Sequence, residues 1–482
     1  MQSISKNAIF NMLNKGISVL FPLLTISYIS RVLGPKGIGV VSSAQNFTIY
    51  FTSCAALGIP SYGIRAISKT RNNQHEVSKT FTELFIINCF STFICFILYY
   101  IFWNFSRSSY PNIDLMIIFS SLILFNFCNI EWVYQGFEEY KYITIRSLIV
   151  KILSIILMFI FVHEDCHLNR YALIICFGTV GNYLLNIINL KKYVWFDFSN
   201  LNLFKHLSPI FTFFASVIAI EIYSLLDVTM LTSLTNPECV GYYSNSTKII
   251  KTIASTLTGF SAVLMPRLSY YFSNDFQDQA NDVCEKFLNV TLFFSLPSFV
   301  GISILSSQIV LLLFGNAFEP ASLTIKILAP LILFMPLSGG VFCQVLLSYG
   351  KEKIYFLCVA LGTIINATLN YLLIPVMMQN GAALASVFSE CTVSISMMIA
   401  SSYIIRFNFK NNTFNSIVLS TIIMGLMVLL VKSIFYNIKS LFCLILLEVI
   451  IGVFVYIYCL ILFKNKIVID MIKKNKSKFL KY

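Results

Sequence analysis

The stretch PKGIGVVSSA, residues 35–44, recurs 202 positions later as PECVGYYSNS, residues 237–246. Both copies fit the pattern P-x-x-[IV]-G-x-x-S-x-[AS], and the same offset pairs Arg65 with Arg267. Each copy has the same context: a turn, an apolar helix and then a cationic end. Chance likeness between two turn-then-helix sequences is the alternative. The repeat interpretation predicts two helical bundles in the same orientation, an arrangement typical of transporters whose substrate site lies between the repeats.

The composition of the chain indicates whether it folds in water or in a membrane. Of 482 residues, 57% are hydrophobic and 11% are charged, whereas soluble domains average about 25% charged residues. Apolar runs of roughly 20 residues recur along the chain, as in membrane-spanning helices. The net charge of +13 does not indicate nucleic acid, because seven lysines crowd residues 464–481 and the others fall mostly in short loops. We expect an all-α, polytopic membrane protein.

Apolar runs separated by turns and charge clusters predict about fourteen spans. The predicted spans are residues 9–30, 38–59, 81–103, 114–133, 147–162, 171–190, 208–233, 242–265, 288–314, 323–347, 355–376, 381–405, 415–433 and 441–463. With the repeat, these spans predict an N-terminal six-helix lobe over residues 1–205 and a pseudo-symmetric second lobe over residues 206–410. Residues 411–482 would add two helices and a basic cytoplasmic tail.

Lysine and arginine predict the orientation. With the N-terminus inside, the inner segments hold 23 of these residues and the outer loops hold 6, which favours two cytoplasmic termini. No loop is long enough for a soluble catalytic domain, and the chain has neither a GxxxxGK[ST] nor an HExxH motif. ATP hydrolysis is therefore not expected. A channel, a secondary transporter and an enzyme acting within the membrane remain.

Several stretches resemble one family, the O-antigen and polysaccharide flippases called Wzx. The stretches are KNAIFNMLNKG from residue 6, FPLLTISYISRVLGPKGIGVVSSAQ from residue 21, LGIPSYGIRAISKTRNN from residue 57, EWVYQGFEEYKYITIR from residue 131, VGYYSNSTKI from residue 240 and MPRLS from residue 265. The likeness covers spans 1–8 well and the later spans weakly. The family belongs to the superfamily of multidrug exporters, lipid II flippases and oligosaccharide-lipid flippases. Membership implies two six-helix lobes around a central cavity, although members often have twelve spans.

The resemblance also implies a function. The substrate would be an undecaprenyl-diphosphate-linked O-antigen or polysaccharide unit, moved by alternating access from the cytoplasmic to the periplasmic leaflet of a bacterial inner membrane. Ion coupling stays open. The implied partners are this lipid-linked oligosaccharide, membrane lipids and the polysaccharide polymerase and chain-length regulator of the same lipopolysaccharide pathway. No catalytic residue, cofactor or metal is implied.

Other functions remain open. A multidrug exporter of the same fold would carry cationic drugs, and lysines within the spans disfavour such a substrate. A flippase for lipid II or a teichoic-acid precursor can be told from an O-antigen flippase only by family resemblance. A polymerase or acyltransferase of the membrane would usually have a large outer loop or a histidine and arginine site. The four histidines here fall in loops or at helix ends.

Cations at membrane depth are the candidates for diphosphate binding: Lys15, Lys248 and Lys251 within spans, and Arg65 and Arg267 at the inner ends of repeat-related helices. A charge at mid-membrane costs about 2.5–3.5 kcal/mol on insertion scales, so it normally faces a cavity. Lys248 and Lys251 share one helix face because they are three residues apart. The alternatives are lysines that reach an interface along their apolar stems and arginines that only set topology.

Acids at membrane depth are the candidates for ion coupling. The stretch EIYSLLDVTM, residues 221–230, places Glu221 and Asp227 in the seventh span. Six residues separate them by about 120° around a helix, so they do not form a dyad. Glu131 and Glu390 lie in other spans. Such acids either bind a coupling proton or sodium ion or pair with buried lysines, and we expect coupling for Glu221 and pairing for Asp227.

Overall fold

The computed structural model describes residues 4–408, 411–435 and 440–469, with the side chains of residues 4–24, 216 and 262 outside that description. The helices are α1 (Ile4–Ala56), α2 (Ile59–Thr70), α3 (Gln74–Phe105), α4 (Ile113–Leu124), α5 (Glu131–Gly136), α6 (Tyr140–Phe161), α7 (Leu168–Ile188), α8 (Phe204–Leu234), α9 (Pro237–Phe260), α10 (Leu264–Ser273), α11 (Gln277–Leu313), α12 (Ala321–Leu328), α13 (Leu331–Met335), α14 (Cys343–Ser348), α15 (Glu352–Ser402), α16 (Asn412–Ile434) and α17 (Leu441–Leu462). A π-helical turn, Pro336–Phe342, joins α13 to α14.

The two longest helices are each broken once. In α1 the break is at Gly34, where φ is +65°, a conformation that glycine adopts at little cost. In α15 the break is at Met378, where φ is +50°. Both breaks fall between pairs of predicted spans, so each helix contains two apolar segments as predicted.

The helices are long and apolar enough for a membrane protein. Eleven helical stretches in the described part of the chain meet the length and composition of a membrane span. Large apolar side chains lie exposed along the helices, such as Phe90 and Phe93 on α3 and Phe454 on α17, and surfaces this apolar are covered by lipid in stable proteins. The all-α, membrane-spanning architecture is confirmed, and the count of fourteen stays a prediction.

The chain forms two compact units, Met1–Gly241 and Tyr242–Tyr482. The first has one core cluster around Tyr99 and Phe119 and another around Phe81 and Trp132. The second unit has a core cluster around Phe342 and a smaller one where α11 packs against α16 and α17. The predicted lobe boundaries follow the sequence repeat rather than these units, and they stay a prediction.

The repeated glycines of the opening motif meet within the first unit. A Cβ atom added to Gly39 would lie 1.7 Å from the carbonyl oxygen of Pro237, and one added to Gly241 would lie 2.0 Å from the carbonyl oxygen of Pro35. The two contacts are reciprocal, since each glycine touches the proline that begins the other copy of the motif. A side chain would prevent this approach of the two backbones, so both positions require glycine.

Candidate functional site

The predicted phosphate-binding cations lie in both units. Arg65 is exposed on α2 of the first unit, and Lys15 is on α1 with its side chain outside the described residues. In the second unit, Lys248 is exposed, Lys251 is half-buried on α9, and Arg267 is exposed on α10. Lys248 lies 11 residues after the start of α9, about 16 Å along the helix. Exposure this deep in an apolar helix is compatible with a cation that faces a wet cavity.

A polar stripe joins α1 to α8 within the first unit. Ser43 Oγ is 2.8 Å from Thr232 Oγ1. One helical turn on, Asn46 Nδ2 donates to Thr229 Oγ1 at 2.9 Å and to the carbonyl oxygen of Leu225 at 3.2 Å. Tyr50 Oη is 3.0 Å from the same Thr229 hydroxyl. Residues 43, 46 and 50 share one face of α1 because they are spaced by three and four positions.

Both candidate acids of α8 lie close to this stripe. Asp227 is buried, with 5% of its surface exposed, whereas Glu221 is half-buried one to two turns earlier. Tyr50 is within electrostatic range of both carboxylates. The two carboxylates of α8 therefore differ in burial.

A cavity of about 260 Å³ lies at one end of the polar stripe. Its walls carry the hydroxyl groups of Ser43, Ser108, Ser109, Thr232 and Thr235 beside apolar side chains. Hydroxyl groups both donate and accept hydrogen bonds, so this surface suits a neutral polyhydroxylated group better than a charged one. The cavity belongs entirely to the first unit.

Glu131, the third acid candidate, forms a close ion pair. Its Oε2 atom accepts from Arg146 Nη2 at 2.5 Å, and its Oε1 atom accepts from Gln135 Nε2 at 3.0 Å. Arg146 is 4% exposed and lies 5.8 Å from the centroid of the Tyr142 ring. Because both carboxylate oxygens already have partners, the geometry favours a structural role for Glu131.

Glu390, the fourth acid candidate, lies in the second unit. It is 7% exposed on α15 and accepts a hydrogen bond from the hydroxyl of Ser338 in the π-helical turn. One turn earlier on α15, Ser386 Oγ is 2.8 Å from the Tyr243 hydroxyl of α9. A π-helical turn often marks a functional site, which makes Glu390 a candidate with an irregular backbone beside it.

Sequence reasoning missed a buried cluster around Glu83. This carboxylate is 0% exposed and has three partners: Lys205 Nζ at 2.7 Å, His206 Nε2 at 2.8 Å and the backbone N–H of Asn202 at 2.7 Å. His206 Nδ1 in turn is 2.8 Å from the Tyr62 hydroxyl of α2. The cluster therefore ties α2 and α3 to the start of α8.

The chain just before this cluster is bound along α3. The backbone N–H groups of residues 195 and 197 donate to the hydroxyls of Ser78 and Thr82, at 3.3 and 2.9 Å. Two hydrogen bonds from Ser199, one from its hydroxyl and one from its backbone N–H, hold the pKa of Asp197 below its ordinary value. Alternate residues of an extended segment thus pair with every fourth residue of a helix. That spacing, a hydroxyl at 78 and another at 82, is the signal the sequence offered.

Comparison with known proteins agrees with this architecture. Residues 4–272 match the family described as polysaccharide biosynthesis protein, and residues 213–372 match the MatE family. A relative from Escherichia coli (strain K12), named "Putative O-antigen transporter", is 25% identical over 410 residues, which are 82% of this chain and 96% of that protein. A relative of the same name from Shigella dysenteriae is 21% identical over 82% of this chain and 99% of its own length.

Solved structures share the fold at low sequence identity. The lipid II flippase MurJ in an inward closed conformation has a TM-score of 0.65 at 14% identity, covering 93% of this chain and 99% of its own. An inward-facing multidrug resistance MATE family transporter of the MOP superfamily has a TM-score of 0.66 at 12% identity, covering 82% and 97%. These likenesses establish the transporter fold. The described helices are those of a multi-pass membrane protein, and because the polysaccharide biosynthesis match spans more than half of the chain, the protein belongs to the polysaccharide biosynthesis protein family.

Proposed function

We propose that this transporter is a flippase that carries undecaprenyl-diphosphate-linked O-antigen or polysaccharide repeat units from the cytoplasmic to the periplasmic leaflet of the inner membrane. Alternating access between the two lobes would expose the site to each side in turn. The observation that carries the proposal is the family match together with the exposed cations Arg65, Lys248 and Arg267. Anionic headgroups need such cations, and cationic drugs do not.

The five predicted cations, Lys15, Arg65, Lys248, Lys251 and Arg267, are proposed to bind the diphosphate. Arginine can hold phosphate oxygens in a bidentate fashion, while lysine acts as a point charge. Sugars would then occupy hydroxyl-lined surfaces such as the cavity beside α1 and α8. The polyprenyl tail can remain in lipid and needs no polar site.

Ion coupling through Glu221 is a second part of the proposal. Glu221 lies at membrane depth on α8 and is partly exposed. Coupling is not required by energetics, because one charge that crosses 100 mV gains about 2.3 kcal/mol, and a diphosphate with two charges would gain about 4–5 kcal/mol moving outward. Loss of transport in Glu221→Gln with normal expression supports coupling. Loss of both would indicate a structural residue instead.

The decisive experiment is complementation of flippase-null strains of known glycan type. The proposal predicts restored surface polysaccharide in an O-antigen strain and none in a strain that lacks the lipid II flippase.

The double variant Arg65→Lys/Arg267→Lys keeps the topology signals but removes bidentate binding, so we expect stable protein with export reduced by about tenfold or more, as for a lost charge-assisted bond. The control Lys326→Gln alters an exposed lysine of α12 and should export normally.

Two outcomes would overturn parts of this assignment. Full export by the double lysine variant would leave Arg65 and Arg267 as topology signals, and Lys248→Gln would then test the deeper cation. Rescue of the lipid II strain alone would replace the proposed substrate by lipid II.

Cytoplasmic termini are tested separately: an alkaline phosphatase fusion after Lys464 should be inactive, and one near Cys239 should be active.

A further inference from the structure

The segment of residues 191–205, KKYVWFDFSNLNLFK, joins α7 to α8 within the first unit and combines lysines with aromatic side chains. Four of its rings are exposed: Trp195 by 50%, Phe196 by 47%, Phe198 by 68% and Phe204 by 83%. An exposed apolar patch of this kind marks a surface that contacts a protein or a membrane. The proposed function makes no use of these side chains.

The backbone of the segment is bound to α3, which holds the rings in place. The backbone N–H of Trp195 donates to Ser78 Oγ at 3.3 Å, and that of Asp197 donates to Thr82 Oγ1 at 2.9 Å. Val194 and Asp197 are buried on the inner side of the segment, at 1% and 8% exposure. Because these two side chains face inward, the aromatic side chains beside them are turned outward and form an ordered surface.

The position of these bonds along α3 sets the depth of the segment. Helix α3 begins at Gln74 with an exposed polar turn, and the apolar run that predicts its membrane span starts at residue 81. Ser78 and Thr82, the two hydroxyl residues that bind the segment, lie on either side of that point. Tryptophan is enriched at this level of membrane proteins, where its ring meets both lipid and water. The exposed rings therefore lie at the boundary between the headgroups and the hydrocarbon.

The exposed charge beside these rings is positive. Lys191 and Lys192 are both exposed, four and three residues before Trp195. The acid of the segment, Asp197, is buried, and its Oδ2 atom lies 3.0 Å from Nε2 of His75. Lysines at a membrane surface attract anionic lipids, whereas a zwitterionic lipid carries its own ammonium group and gains less from them. The charge thus complements an anionic headgroup.

We propose that this segment is a binding site for an anionic phospholipid of the bilayer, with Lys191 and Lys192 at the headgroup phosphate. The rings of Trp195 and Phe198 lie against the upper part of the acyl chains, and Phe204 at the start of α8 extends the same apolar surface. The rings alone would accept any lipid, and the two lysines make the site favour an anionic one. This site is separate from the diphosphate-binding cations and does not depend on the substrate of the proposed function.

The test measures which lipid lies beside Trp195, using the full chain in phosphatidylcholine vesicles. The chain has three tryptophans; Trp132 is 2% exposed and shielded from lipid, and Trp103→Phe removes the other. Dibrominated phosphatidylglycerol, or dibrominated phosphatidylcholine in parallel, then replaces part of the lipid, because bromine quenches tryptophan fluorescence on contact. We expect phosphatidylglycerol to bind about fivefold more strongly or better. Bromines near the headgroup end of the acyl chain should quench more than bromines near its methyl end.

The lysine variants separate a binding site from a mere topology signal. Lys191→Gln/Lys192→Gln should bring the phosphatidylglycerol preference close to that for phosphatidylcholine, while Lys191→Arg/Lys192→Arg and the control Lys326→Gln should retain it. With both lysines in place, about 1 M salt should weaken the preference, since the Debye length falls to about 3 Å. Equal quenching by the two lipids at low salt, an unchanged preference in the double glutamine variant, or strongest quenching from the methyl end would each overturn the proposal.

Discussion

Substituting Gly39 by alanine tests whether the repeated motif is a structural contact. The added carbon would lie 1.7 Å from the Pro237 carbonyl oxygen, where ordinary contact begins at about 3.4 Å. The backbones of α1 and α9 would have to separate by more than an ångström where they cross. Overpacking of this kind typically costs about 1–3 kcal/mol, partly offset by the better helix propensity of alanine, which is worth up to about 1 kcal/mol.

The cost converts to a measurable shift in melting temperature. The obstructing atom is backbone and cannot rotate away, so we expect a cost of about 2–3 kcal/mol and a net cost of about 1–2 kcal/mol after that offset. Each kcal/mol is worth about 2–4 °C for a unit of 150–250 residues, so Gly39→Ala should lower the melting temperature by about 2–8 °C. Fluorescence-detected size exclusion of the detergent-solubilised protein after heating measures the midpoint. Gly241→Ala should have a similar effect because its contact with Pro35 is the reciprocal one, at 2.0 Å.

A matched control separates the crossing from glycine chemistry in general. Gly259 also lies in α9, but an added Cβ there meets no atom within 4 Å, so Gly259→Ala should melt at or above the wild-type temperature. The pair Gly39→Ala/Gly241→Ala should cost less than the sum of the single variants, since one separation relieves both contacts. Wild-type melting of Gly39→Ala would refute the close crossing.

Three further outcomes are expected. Asn46→Ala removes two hydrogen bonds, to the Thr229 hydroxyl and to the Leu225 carbonyl oxygen, and at about 0.5–1.5 kcal/mol for each bond should cost about 1–3 kcal/mol in thermal stability, with less effect from Ser43→Ala because only one bond is lost. Glu83→Gln should lower the melting temperature more than Lys205→Gln, because Glu83 is fully buried while the Lys205 side chain is 44% exposed. The lowered pKa of Asp197 contributes stability that is present above the ordinary value near 3.9 and lost as pH falls through the folded value. Hydrogen exchange of residues 193–203, corrected for intrinsic rates, should therefore stay constant from pH 5 to 8 and rise below about pH 4, and an increase already at pH 6 would contradict the assignment.

The apolar segments followed from the sequence because a membrane span is a local property, set by length and composition. The break at Gly34 was equally local. The ends of the helices did not follow from local composition. Helix α11 begins at Gln277 rather than at the predicted 288, because backbone hydrogen bonding continues past the bilayer wherever polar residues can face water.

The short helix α2 combines a helical spacing of buried residues with several positive charges. It buries Ile59, Gly63 and Ile67, spaced by four residues, and leaves Arg65 exposed. The positive charges of this stretch mark it as an inner loop when topology alone is considered. The four-residue spacing of Ile59, Gly63 and Ile67 also indicates a helix in this stretch, and that helix places Arg65 on an ordered, exposed surface.

The partners of buried charges could not be read from the sequence, because they depend on which helices pack together. Glu131 meets Arg146 across 15 positions, and Glu83 meets His206 across 123. The sequence alone does not show whether a carboxylate at membrane depth has a neutralising partner. Packing shows that Glu131 and Glu83 are both held by close partners, which fits residues that fix helices.

The acids of EIYSLLDVTM, residues 221–230, can be placed within the same scheme. Asp227 is buried, and Thr229, two residues on, binds the α1 side chains Asn46 and Tyr50. A buried carboxylate is stable only where polar groups surround it, and the α1 stripe provides such groups at that level. Glu221, being half-buried, faces a smaller desolvation cost and can exchange an ion with less rearrangement. We therefore expect Glu221→Gln to impair transport more than Asp227→Asn. The opposite order of transport defects would show that burial does not decide which acid moves charge.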